Sequence, residues 1–158
     1  MIERAAARYG WRGLWLVLVG ATWLLFAAGQ LATPIEPRPW VLHEHLPGWF
    51  TAGGWAITGA VALWTGTRGR VVDDSLGHVA LYLMPAIRIL SYAAASLVWA
   101  ITYTLHHLIS ADVKVTGYAG GWYAALLWGL ISTMLLVASR WPNPRPPLPR
   151  PLSSREEM

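Results

Sequence analysis

Four histidines are the residues best suited to chemistry in this chain. His43 and His45 lie in one segment, and His106 and His107 in another. Imidazole is a common ligand for zinc, copper and haem iron. An H-x-H pair on an extended segment points both rings the same way, because side chains alternate. Glu44 then points away, leaving Glu36 or Asp112 as carboxylate ligands. The plainer reading is that these are polar residues flanking apolar segments, since no spacing among them is diagnostic of a metal. No cofactor is therefore expected, with a metal ion or haem on His43, His45, His106 and His107 as the alternative.

Other chemistry is poorly provided for. There is no phosphate-cradling Gly-rich loop, no H-E-x-x-H and no Gly-x-Ser-x-Gly. His106 or His107 with Ser110 is the nearest approach to a base and nucleophile. The chain has no Cys, which removes disulfides, thiolate metal sites and Cys nucleophiles. The basic C-terminal run lacks the aromatic interleaving of a single-strand binder. The reading is a protein that is neither an enzyme nor a nucleic-acid binder.

The elements that position these residues are apolar helices. Of 158 residues, 55% are hydrophobic and only 13% charged, against roughly 25% charged in soluble domains. A membrane-spanning helix needs about 20 mostly apolar residues. Four segments qualify, at about 13–32, 49–67, 89–109 and 118–139. They are continuously apolar, so the alternating pattern of a transmembrane barrel does not apply. The predicted fold is an all-α integral membrane four-helix bundle over residues 1–140. A Pro/Arg-rich tail, 141–158, cannot build a core and is expected to be disordered. The N-terminal span reads as an uncleaved anchor rather than a signal peptide, whose apolar core is shorter.

Between spans two and three, Leu76, Val79, Leu83 and Ile87 recur at helical spacing. Pro85 removes a helical hydrogen bond. A short interfacial helix over 75–84, capped by Asp74 or Ser75, is predicted. The alternative is one long helix, 76–109, bent at Pro85.

Orientation follows from the basic residues. Arg4, Arg8 and Arg12 precede the first span. Arg68, Arg70 and Arg88 lie between the second and third. Arg140, Arg145, Arg150 and Arg155 follow the fourth. Only Arg38 and Lys114 fall on the other side. Ten against two predicts both termini in the cytoplasm. Arg12, Arg68, Arg70, Arg88 and Arg140 are expected at the membrane interface, joined by Trp11, Trp49, Trp122 and Trp141 in the aromatic belts. Arg88, at the start of the third span, is expected to snorkel to the cytoplasmic headgroups; if buried, its partners would be Asp73 and Asp74. Gly54, Thr58, Ala62 and Gly66 recur every four residues, and Gly117 and Gly121 form a GxxxG pair. Both are small faces suited to close helix packing.

Eleven Arg to one Lys, with abundant Ala, Gly, Pro and Trp, points to a GC-rich genome. With short spans, Arg-marked cytoplasmic ends and a Pro-rich tail, the chain resembles small four-span membrane proteins of actinobacteria or their tailed phages. That resemblance implies holin-like or host-membrane roles. The function expected from the residues is a structural or interaction component of a bacterial plasma membrane, or of a host cell membrane if phage-encoded. Its partners would be the lipid bilayer, a second copy, and a cytoplasmic protein or anionic lipid at the tail. A holin-like pore and a metal- or haem-binding protein are the alternatives.

Overall fold

A computed structural model of the chain describes residues 2–33, 36–68, 74–109 and 112–141, with side chains from Tyr9 onward. The described residues are helical, without strands. They form α1 (Ile2–Ala32), a 3-10 turn (Leu42–Glu44), α2 (Gly48–Thr67), α3 (Ser75–Leu108) and α4 (Gly121–Ser139). Three helices are long and apolar enough to cross a membrane: Tyr9–Ala32 of α1, α3 and α4. The 20-residue α2 is not among them. Nine of its 20 residues are Gly or Thr, which lowers its hydropathy. Gly10, at φ 75° and ψ 163°, kinks α1 just below its apolar stretch.

Glycine explains how α1 and α2 meet. They run antiparallel with Gly13 beside Gly66 and Gly20 beside Gly59. A Cβ at Gly13 would lie 2.9 Å from the Gly66 carbonyl oxygen, and one at Gly59 would lie 2.7 Å from that of Gly20. Only residues without a side chain permit that approach. Ala27 and Ala52 occupy the next positions of the same seven-residue register, and both are buried. The buried Thr58 and Thr65 hydroxyls donate within their own helix, to the carbonyls of Gly54 and Val61, at 2.9 Å each.

α3 runs antiparallel to α2, with Gly77 beside Thr65 and Gly54 beside Met84. It continues through Pro85, so the expected separate helix over 75–84 is corrected: α3 is one helix of 34 residues. Leu81, Met84, Pro85 and Arg88 are all buried. Packing on that face holds the helix together across the missing backbone bond, as neighbouring helices do for prolines in membrane helices.

α4 returns along α3. The Tyr118 N–H donates to the Ala95 carbonyl at 3.1 Å, and Gly121 sits against the Tyr92 carbonyl. Gly117, at φ +101°, is the turn residue that permits this and lies against the Trp99 backbone. At the other end of α4, Trp141 meets Trp15 edge-on at 5.7 Å, close to the Arg12–Asp74 ion pair. α4 therefore lies beside Ser75–Tyr92 of α3. The remaining 16 residues, 93–108, extend roughly 24 Å further. α3 thus follows the alternative reading, one long helix over about 76–109.

The connection to α4 folds back along that extension. His106 Nδ1 is 2.9 Å from the Val113 carbonyl. The Thr102 hydroxyl donates to the Thr116 carbonyl at 2.9 Å and accepts the Thr116 N–H at 3.1 Å. Trp99, Tyr103 and His107 lie one turn apart each; Trp99 stacks on Tyr103 at 5.1 Å, and His107 meets Tyr103 edge-on at 4.3 Å.

Candidate functional site

Each of the four helices contributes one residue to the centre of the bundle. Arg88 of α3 is 7% exposed. Its guanidinium carbon lies 5.1 Å from the Phe26 ring of α1, 5.4 Å from Trp55 of α2 and 5.1 Å from Trp128 of α4. The rings also touch one another, with Phe26–Trp55 centroids at 4.8 Å and Trp55–Trp128 at 5.6 Å. A cation within about 6 Å of a ring face is attracted by the ring quadrupole, more so when desolvated. Arg suits such a site because its planar guanidinium stacks and is weakly hydrated. Among the described residues no carboxylate lies within 4.0 Å of Arg88.

One turn further along α3, Tyr92 joins loop one to the bundle. Its hydroxyl donates to Glu44 Oε1 at 3.1 Å. Glu44 Oε2 accepts the Arg38 N–H at 2.9 Å, and an Arg38 guanidinium nitrogen is 3.5 Å from Oε1. The Glu44 side chain is thereby held with 4% of its surface exposed. Val41, fully buried, packs with Tyr92 and Ala95, so loop one is tucked onto α3. Trp40, at φ 64°, makes the preceding turn in the left-handed region that bulky residues seldom adopt. His43 sits edge-on to Tyr92 at 5.0 Å. Burial first, then the charges of Arg88 and Arg38, push its pKa down to about 4. It is therefore neutral at pH 7. Neither of its ring nitrogens has a hydrogen-bond partner among the described residues, and the same holds for Arg88 Nε and Gln30 Nε2.

Two cavities open beside these groups. One, of about 340 Å³, is lined by Gln30, His43, Glu44, Thr51 and Arg88 among others. The second, of about 380 Å³, shares His43, Trp49, Thr51 and Arg88 and then runs between α2 and α3 over Phe50, Gly53, Gly54, Ile57, Leu83, Met84 and Ile87.

The sequence expects Arg88 to snorkel to the cytoplasmic headgroups or, if buried, to pair with Asp73 and Asp74; the structure shows the side chain buried. Its side chain is enclosed by three rings, and the nearby carboxylate is Glu44 of loop one. Asp74 is engaged elsewhere, by Arg12, and Asp73 lies outside the described residues. The four histidines are not brought into one group. His43 is level with Tyr92, whereas His106 is 14 residues along α3, roughly 21 Å away. His45 Nε2 is 3.1 Å from the Arg38 carbonyl, and His107 meets Tyr103 edge-on. Among the described residues no group of three or more His, Cys, Asp or Glu could hold a metal ion. Ser110 lies outside the described residues.

The interface residues separate by end. Trp11, Trp141, Arg12, Arg68 and the exposed Arg140 lie where α1 begins and α2 and α4 finish, and Arg68 stacks on Trp64 at 3.3 Å. Trp49 and Trp122, both exposed, lie at the starts of α2 and α4. Arg70 and the tail beyond Trp141 are outside the described residues. Gly54 faces Met84, Gly66 faces Gly13, Thr58 and Ala62 are buried, and Gly117 and Gly121 abut α3. Sequence reasoning missed Phe26, Trp55, Trp128 and Tyr92 as companions of Arg88. The available signal was one arginine in an apolar run with a tyrosine four residues on.

No protein-family model, curated protein or solved structure matches this chain.

Proposed function

We propose that the protein is a four-span integral membrane protein of a bacterial plasma membrane, or of a host membrane if phage-encoded, acting as an interaction or scaffold component rather than as an enzyme. α2 is read as the fourth span because it lies antiparallel against α1 through the Gly13–Gly66 and Gly20–Gly59 contacts. With four crossings and the arginine distribution, both termini are cytoplasmic.

The observation that carries the interaction reading is the pairing of residues 93–109 with residues 112–118. The paired segments extend past the other helices with Leu97 61%, Leu108 79% and Ile109 75% exposed, beside the Trp99–Tyr103–His107 column. An apolar surface of this kind calls for cover by lipid or a partner. The small-residue faces, by contrast, are occupied within the chain, which supports a self-contained bundle over a holin-like oligomer. The basic tail offers a second contact, to a cytoplasmic protein or to anionic lipid at about 1 kcal/mol per basic residue near the surface.

A photo-crosslinking residue at Leu108, compared with one at Leu130 on lipid-facing α4, tests this. A discrete adduct at position 108 alone supports the reading. Lipid-only adducts at both, together with an unchanged set of co-purifying proteins after deletion of residues 142–158, contradict it.

A further inference from the structure

We propose that the two joined cavities form one binding site for an anionic membrane lipid, its phosphate at Arg88 and His43 and one acyl chain in the groove between α2 and α3.

The first cavity supplies the anion-binding half. Arg88 and His43 are 7% and 4% exposed, and Arg88 Nε, both His43 nitrogens and Gln30 Nε2 have no partner among the described residues. Buried polar groups are ordinarily hydrogen-bonded, so unpartnered donors on Arg88, His43 and Gln30, three residues that line one cavity, point to an occupant. That occupant is an anion on charge grounds. Glu44, the carboxylate on the cavity wall, is already engaged by Tyr92 and Arg38, whereas Arg88 has no ion-pair partner among the described residues. A phosphate diester accepts charge-assisted hydrogen bonds from guanidinium and an N–H from neutral imidazole.

The second cavity makes the ligand a lipid. It adjoins the first at Arg88, His43 and Trp49, and Gly53 and Gly54 are among its lining residues. A Cβ at Gly53 would meet nothing within 4 Å. From Trp49 to Ile57 the groove descends two turns of α2, roughly 12 Å. It leads from the end of the bundle where loop one sits toward its middle, the path of an acyl chain below its headgroup. A free inorganic anion would fill only the polar half. The proposed site uses α1, loop one, α2 and α3, and it rests on the membrane reading above; correct topology without lipid selectivity would overturn the site alone.

The test uses the full chain purified in detergent and titrated with phosphatidylglycerol, with phosphatidylcholine of the same chains, and with inorganic phosphate. Bound lipid is read by native mass spectrometry. Retention of phosphatidylglycerol over phosphatidylcholine by about tenfold or more is expected, because both offer the phosphate but the choline cation adds a like charge near Arg88 and Arg38 while phosphatidylglycerol stays net negative. Arg88→Gln should abolish that preference. Gly53→Leu, which fills the groove from an open position, should lower retention of both lipids. Gly129→Leu, equally open but on α4, should change neither. Equal retention of the two lipids overturns the proposal, as does retention unaffected by Gly53→Leu, a variant that remains informative if Arg88→Gln does not fold. Displacement of lipid by inorganic phosphate would mark a free-anion site and overturn the lipid assignment.

Discussion

Arg88 and Trp128 meet at 5.1 Å from helices that are antiparallel neighbours, and Phe26 and Trp55 close the same cation from the other two helices. A charge at the centre of an apolar bundle is costly. Here the cost is offset by three aromatic faces and by the Tyr92–Glu44–Arg38 network one turn away. The arrangement ties all four helices and loop one to a single residue.

Because replacing a buried charge by a hydrophobe of similar volume is often neutral or stabilising, Arg88→Met should retain most of the melting temperature in detergent. Arg88→Ala leaves a void among the rings and should cost about 2 kcal/mol more than Arg88→Met. Trp55→Ala should cost about 3–5 kcal/mol. Thermal unfolding followed by Trp fluorescence separates the three. An Arg88→Met variant as damaged as Trp55→Ala would show that the guanidinium itself holds the bundle.

The α1–α2 seam makes a sharper contrast. Gly59→Val drives a side chain into the Gly20 carbonyl and should lose more than the about 1–3 kcal/mol of ordinary overpacking, because backbone is what must move. Gly129→Val, with open space around it, should be near neutral. Equal melting temperatures for the two would rule out the close Gly20–Gly59 approach.

His43 gives the fold a pH dependence. Its folded pKa of about 4 lies below the unfolded value near 6.5, so between those values the unfolded chain binds the additional proton. The contribution is fully present above pH 6.5 and is lost as pH falls through about 4. It is on the order of 3 kcal/mol. Melting temperature should fall over that interval, and His43→Gln should flatten the profile. An unchanged profile in the variant would place the titration elsewhere.

Thr102 holds the folded-back segment by two hydrogen bonds. Thr102→Val leaves the Thr116 backbone groups unpaired, which costs about 1–3 kcal/mol locally. Amide exchange at residues 113–118 should accelerate about tenfold or more, while exchange in α1 and α2 stays the same. Acceleration throughout the bundle would contradict a local role.

The helical class was legible because each segment is an unbroken apolar run, and α2 follows its run closely. The start of α3 at Ser75 was legible too, but its continuity through Pro85 was left between two readings, because the rule that proline interrupts a helix is local, whereas Leu81, Met84 and Arg88 are buried among the other helices. The α1–α2 seam escaped because a four-residue stripe was sought on one helix; the contacts recur every seven residues on both. The histidines share an end of the bundle in topology but not a depth along α3. The arginine site was least accessible, since Phe26, Trp55, Arg88 and Trp128 come from four separated stretches and no local spacing links them.

The central proposal is that α2 crosses the bilayer beside the three helices long and apolar enough to do so, α1, α3 and α4, around a buried Arg88. The chain has no cysteine, so single cysteines report topology without background. With a membrane-impermeant maleimide on intact cells, Arg38→Cys and Lys114→Cys should label at once, Arg68→Cys and Arg145→Cys only after permeabilisation, and Arg88→Cys not at all before denaturation. External labelling at position 68, or ready labelling at position 88, would contradict the account.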